Sequence, residues 1–300
     1  MISFNPILTV KHVLYCPIGG VGLWDDPDDD TWLLYRIGVF KNFTLKSLLS
    51  QTIKPDLLWL SFDGRRNNPW IEALYGELST KIPTVITHEG LIYKDDKYIL
   101  RLRGNERYAS SFSYAWRMLG RSVRRRSPKI FIRFVKRLLF KNRMLARRVG
   151  RSLAEVRKYL GDFNYVYLTR MDSDDMLHKD WFKELNEHEP RYKQCFIRKN
   201  GYVYNANTQE LAEWNPKTCP QFFTLCTPRN KLQSGEAFTD YWGDYASHED
   251  ASTVFNPVIL KDNRYCMLMH GNQISSTWEH PFRGQSVDNK EEMLRKFGVE

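Results

Sequence analysis

Tyr165-Val166-Tyr167-Leu168-Thr169-Arg170-Met171-Asp172-Ser173-Asp174-Asp175-Met176-Leu177-His178 is the stretch that decides the fold. Tyr165 to Thr169 is a short run of aromatic, β-branched and aliphatic side chains, the length of a buried strand rather than of a helix. Three carboxylates follow within four residues, and carboxylates so close repel one another when buried without a counter-charge. A divalent cation removes that conflict, since hard cations take oxygen ligands. In an extended segment Asp172 and Asp174 point the same way. They are therefore candidate metal ligands, with coordination positions left for the oxygens of a diphosphate. The competing reading is a helix N-terminus, where acids complement the dipole and Asp175 caps a helix beginning near Leu177. That reading covers Asp175 but not Asp172, which sits against the strand.

Working outward, the chain alternates strands with helices. His12–Cys16, Leu57–Phe62 and Pro83–Thr87 read as strands. Lys41 to Gln51 reads as a helix with Phe43, Leu45, Leu48 and Leu49 on one stripe, and Asn105 to Leu119 as another. This alternation predicts an α/β fold, a mostly parallel sheet with flanking helices. Ligands of such sheets gather at the carboxyl ends of the strands, where Asp63 and the Asp172 cluster both fall. Beyond the cluster, Asn200-Gly201 between strand-like residues signals a hairpin. Pro220–Thr227 and Arg264–Met269 read as further strands completing the sheet.

The chain has 300 residues and a net charge of +10, and that charge has an address. Between Arg121 and Arg151 there are thirteen Lys and Arg and no acid; the rest is mildly acidic. Ile130, Phe131, Phe134, Val135, Leu138 and Leu139 recur there at helical spacing. A basic, amphipathic helical insertion over 121–161 is therefore expected within a single domain made of 1–120 and 162–300. Its two faces suit an anionic membrane surface as well as an ordinary surface helix. Nucleic acid is the less favoured partner, because no reading motif accompanies the charge. The five cysteines are scattered and never form a CxxC pair, as expected of reduced core residues. No stretch approaches the ~20 apolar residues of a membrane span, so a cytoplasmic protein, peripheral on a membrane at most, is expected.

Arg170 to His178 resembles the R-x-D-x-D-D-x-x-H stretch of a bacterial rhamnosyltransferase family, and the DxD motif of GT-A glycosyltransferases more broadly. The resemblance extends to Arg36, to Phe43–Thr52, to Leu58–Asp63 and to His270–Trp278. It implies a GT-A (Rossmann-like) fold, Mn2+ or Mg2+, and a nucleotide-diphosphate sugar as donor. On that resemblance Asp172 and Asp174 match the metal and diphosphate positions, Asp63 a nucleotide contact, and His270 a further metal or phosphate contact. Arg36, Arg103 and Arg170 join the donor-binding set, with Arg101 beside them, and Trp278 is a candidate for closing over the donor. The segment Gly19–Trp24 and the acidic run Asp25–Asp30 match nothing in the family.

His248-Glu249-Asp250 resembles the element that supplies the general base in inverting GT-A enzymes. Asp250 is the first candidate for the base and Glu249 the second, since a sugar hydroxyl needs a carboxylate within hydrogen-bond reach as it attacks. The expected reaction is sugar transfer to a glycan or lipid-linked acceptor. Two other classes stay open. One is a metal-dependent nucleotidyltransferase, although Gly19–Gly22 lacks the Lys-Ser/Thr of a phosphate cradle. The other is a non-catalytic protein acting through 121–151.

Overall fold

The computed structural model describes residues 8–18, 30–62, 68–88, 91–94, 97–100, 156–217, 219–234, 255–271 and 278–299. The expected insertion lies outside these residues up to 155, as does the expected helix 105–119. The first half contributes β1 (Val10–Ile18), α1 (Asp30–Val39), a π-helical segment (Phe40–Leu45), α2 (Lys46–Leu49), β2 (Leu57–Phe62), α3 (Pro69–Ser79), β3 (Thr84–His88) and the pair β4 (Leu91–Lys94) and β5 (Lys97–Leu100). The second half begins with a helical turn, α4 (156–160), then β6 (Tyr165–Arg170), β7 (Met176–Leu177), α5 (Trp181–Leu185), β8 (Gln194–Ile197), β9 (Gly201–Asn205) and β10 (Glu210–Trp214). It closes with β11 (Phe223–Pro228), α6 (Arg229–Ser234), β12 (Asn256–Ile259), β13 (Tyr265–Met269), β14 (Arg283–Ser286) and α7 (Lys290–Arg295).

Seven strands form the main sheet in the order β12-β8-β11-β6-β1-β2-β3. β3, β2, β1 and β6 run parallel. β11 runs antiparallel between β6 and β8, and β12 returns parallel to β8. The expected mostly parallel, Rossmann-like α/β sheet is what forms, with β11 as its antiparallel member. The centre of the sheet is buried on both faces, which is why β2 reads as an almost unbroken apolar run instead of alternating. Leu14, Cys16 and Ile18 face one core with Leu33, Ile37, Leu48, Leu74 and Leu78 of the helices. Val13 and Tyr15, pointing the other way, meet Val156 and Leu160 of α4. All five cysteines are free and buried.

A second sheet, β14-β10-β9-β13-β7, lies beyond the acidic segment. It corrects the hairpin expected at Asn200-Gly201: β8 belongs to the first sheet and β9 to the second. Asn200 is held by Asp262, which accepts from both its backbone and its side-chain nitrogen at 3.0 Å. Gly201 lies flat on the Tyr265 ring, where an added Cβ would come within 2.5 Å of a ring carbon. Close approach, not turn formation, is what demands glycine there. The helix expected near Leu177 is likewise absent; β7 pairs with β13 instead.

The expected helix over 41–51 is the end of a longer one beginning at Asp30. Its last turns hold the acidic segment residue by residue. The Thr44 hydroxyl donates to the carbonyls of Ser173 and Asp175, at 3.0 and 2.8 Å. Leu177 N donates to Ser47 Oγ, Gln51 Nε2 donates to the Leu177 and His178 carbonyls, and Thr52 N to that of Lys179. Thr44, Ser47 and Gln51 are buried, so backbone that would otherwise go unpaired in the core is satisfied by side chains.

His178 lies just past this zipper, buried, with Nε2 3.1 Å from Nη1 of Arg264. Burial and the Arg264 charge push its pKa down to about 4 from the usual 6.5. Below pH 6.5 the unfolded chain therefore takes up this proton before the folded one. The resulting stability is complete above that pH and drains away as pH falls through about 4, a loss of about 3 kcal/mol. Urea unfolding from pH 7 to pH 4 should show this slope, flattened in His178→Gln; parallel curves for the two proteins would exclude the assignment.

Candidate functional site

Strand order reverses between β1 and β6: β1 is followed by β2 and β3 on one side, and the next parallel strand is laid on the other. At such a switch point the loops leaving the two strands diverge and open a crevice at the carboxyl edge. The acidic segment stands there, its Met171 N still donating to the Tyr15 carbonyl of β1 at 3.1 Å. Because β11 is antiparallel, it starts at this same edge and brings Gln221 to it.

The three acids occupy three different environments. The chain turns at the motif, with Asp175 N donating to the Asp172 carbonyl at 3.3 Å, so the alternation of an extended strand ends and the carboxylates part. Asp172 is about a third exposed and accepts from Arg170 Nη2 at 2.8 Å. Arg170 also reaches the Gln221 carbonyl. Asp174 is buried: its Oδ2 accepts from Arg36 Nη1 at 2.6 Å and faces His270 Nε2 at 3.0 Å. Burial alone would raise the Asp174 pKa, but the His270 hydrogen bond and the Arg36 guanidinium hold it below the ordinary carboxylate range. Asp175 is buried still further from water, accepting from Leu268 N and Gln221 Nε2 at 3.0 and 3.1 Å. Burial, with the Asp174 and Asp172 charges added, raises its pKa well above the usual value. It ties the motif to β13 and caps no helix.

Arg36 projects from α1 across 138 residues of sequence to Asp174, and its Nη2 donates to Ser173 Oγ at 2.9 Å. It is buried, in contact with the loop's own groups rather than open to a donor. His270, just past β13, stands between Arg36 and Tyr35, whose hydroxyl donates to the His270 carbonyl at 2.6 Å. The structure thus brings Arg36, Arg170, Asp172, Asp174 and His270 to one end of the sheet. Trp278 is partly buried against the core, with Arg283 stacked over its ring at 4.6 Å. Asp63, Arg101, Arg103, Glu249 and Asp250 lie outside the described residues.

This geometry tests the fit of a divalent metal. Asp174 Oδ2 is already taken by two nitrogen groups, and no three or more His, Cys, Asp or Glu among the described residues are grouped to hold an ion. The side of Asp174 that faces Arg36 and His270 is thus closed to a cation, while Asp172 is the acid of the motif with an open side. Sequence reasoning missed Tyr35, Ser173 and the zipper of Thr44, Ser47 and Gln51. The one local signal for the zipper is hydroxyl and amide side chains recurring along a helix with an apolar stripe.

The fold and the site define a Rossmann-like α/β domain with an acidic, arginine-bearing cluster at its switch point. Compared with known proteins, the chain is similar in structure to Staphylococcus aureus TarS residues 1–349, at 12% identity and a TM-score of 0.41, over 86% of this chain and 60% of that one. The same TarS fragment in complex with UDP-GlcNAc matches at 11% identity and 0.40 over 86% and 58%, and a longer TarS structure at 10% and 0.38 over 86% and 37%. The chain thus spans 60% or less of the length of these structures. No family model and no curated relative matches it.

Proposed function

We propose that the chain is a glycosyltransferase that moves a sugar from a nucleotide-diphosphate donor to a hydroxyl acceptor. The observation that carries this reading is the place of Asp172 and Arg170, paired and partly open at the switch point of the sheet. A crevice there takes a nucleotide along the strand ends. Arg170 offers a fork of donors to phosphate oxygens, and the family resemblance of Arg170–His178 names the chemistry. Asp172 would hold a divalent ion brought in with the diphosphate, which would offset charge on the leaving phosphates.

The acceptor hydroxyl attacks the anomeric carbon as the nucleoside diphosphate departs from the opposite face, inverting the centre in one displacement. Asp250, with Glu249 beside it, is the proposed base, assigned from sequence. Rhamnose is the donor sugar the resemblance favours, and a lipid-linked or glycan acceptor suits a basic segment able to rest on an anionic membrane. Among the described residues no helix is long and apolar enough to cross a membrane.

The test is a panel of nucleotide sugars, dTDP-rhamnose and UDP-GlcNAc among them, with Mn2+ or with EDTA, assayed for release of nucleoside diphosphate. Release from one donor is the expected result and identifies its sugar. Release of pyrophosphate from a nucleoside triphosphate would replace this reading with nucleotidyl transfer. Absence of binding to every nucleotide tested would move the function to the basic segment.

A further inference from the structure

Asp174 and His270 look like metal ligands in the sequence, yet in the fold each already has partners of the wrong kind. We propose that the Arg36 guanidinium is the permanent counter-cation of Asp174, and that Arg36, Asp174 and His270 form a metal-free strut holding the acidic loop in place. Asp174 is then a positioning residue, and Asp172 alone of the pair faces a ligand. The purpose of the strut, aiming Asp172 at a donor diphosphate, rests on the function proposed above; its chemistry does not.

Four observations support this. Asp174 Oδ2 has Arg36 Nη1 at 2.6 Å and His270 Nε2 at 3.0 Å, so a cation on that oxygen would meet a fixed positive charge within contact distance. Arg36 is gripped at a second atom, Nη2 donating to Ser173 Oγ, and its guanidinium lies 5.6 Å from the centroid of the Trp32 ring. Both ring nitrogens of His270 are spoken for: Nε2 is bonded to Asp174 Oδ2 at 3.0 Å, and Nδ1 lies 3.1 Å from the Tyr35 hydroxyl. Finally, the cluster is buried, and a buried carboxylate needs one counter-charge to stay ionised. The guanidinium supplies it from within the chain, hydrogen-bonded in the short geometry of a charge-assisted pair.

The experiment needs no donor. Mn2+ is titrated into the full chain and its free-ion electron paramagnetic resonance signal followed, beside thermal unfolding. The expected result is that any Mn2+ taken up by the wild type is kept in Asp174→Asn and lost in Asp172→Asn, or that none is taken up at all. Arg36→Met should lower Tm by about 10 °C, as a buried carboxylate left unpaired does. It should also gain Mn2+ binding that raises its Tm, and lose that gain in Arg36→Met/Asp174→Asn. Wild-type Mn2+ binding abolished by Asp174→Asn or His270→Ala would overturn the proposal. That comparison decides alone if Arg36→Met does not fold. A failed nucleotide-sugar panel would sink the proposed activity and leave these metal measurements standing.

Discussion

Asp172→Asn is expected to cut nucleoside-diphosphate release by about 100-fold or more while leaving Tm within about 4 °C of the wild type. The stability half follows from its surroundings. Asp172 is about a third exposed, and the ion pair it makes is with Arg170, itself partly exposed. Such pairs contribute ~0–1 kcal/mol, roughly 2–4 °C per kcal/mol in a chain of this size. The activity half follows from its position at the open end of the sheet. A charged group aimed at a leaving diphosphate acts where charge develops, and removing one such group typically costs about 100- to 1,000-fold in turnover. Activity and melting temperature measured on the same preparations separate the two effects. A fall in both together would make Asp172 structural. Unchanged release would remove it from the site.

The second large effect is on stability and lies away from the candidate site. Glu184→Ala should cost about 3–5 kcal/mol, as breaking a buried ion pair on one side does. Glu184 receives Arg198 Nη1 at 2.8 Å and Arg264 Nε at 2.7 Å, so one carboxylate of α5 neutralises residues at the end of β8 and the start of β13. Arg198 is wholly buried, its guanidinium 4.6 Å from the Trp181 ring centroid and its Nη1 also donating to the Lys261 carbonyl. Burial drags its pKa down to about 10 even with Glu184 present, a sign of how costly that charge is to keep without a partner. Glu184→Gln, which retains an acceptor oxygen, should lose less. Glu184→Ala with Arg198→Leu should recover much of the loss, since the uncompensated charge is gone. Urea unfolding measures all three. A single-variant loss under about 1 kcal/mol would show that water reaches Arg198 and the pair is not the staple between sheets.

The strands were the legible part of this protein, for a local reason. A sheet covered on both faces needs short apolar runs, and β2 and β6 are such runs bounded by polar turns. The acidic motif was legible because three carboxylates in four residues demand an explanation. What those carboxylates do was not. The partners of Asp174 and Asp175 come from Arg36, Gln221, Leu268 and His270, between 46 and 138 residues away, and no periodicity reports contacts of that range. The Asn200-Gly201 misreading has the same root: the dipeptide is good hairpin chemistry, but Asp262 and Tyr265 use it to pass the chain between sheets. The start of the long helix was hidden because Thr31, Leu34 and Tyr35 expose one side while Leu33 and Arg36 are buried on the other.

The π-helical turn at Phe40–Leu45 sets the phase of that helix. Arg36 and Thr44 are eight residues apart, which in a regular α-helix leaves them about 80° apart around the axis. A π turn takes up one residue without advancing the rotation, so the two are phased as if seven apart, close to two whole turns. Both side chains accordingly meet one loop, Arg36 at Ser173 and Asp174, Thr44 at Ser173 and Asp175. The helix therefore works as a gauge with two jaws. Gaining or losing a single residue between them would swing one jaw by roughly 100° off the loop, so this stretch has a length that cannot drift although nothing in its composition announces it.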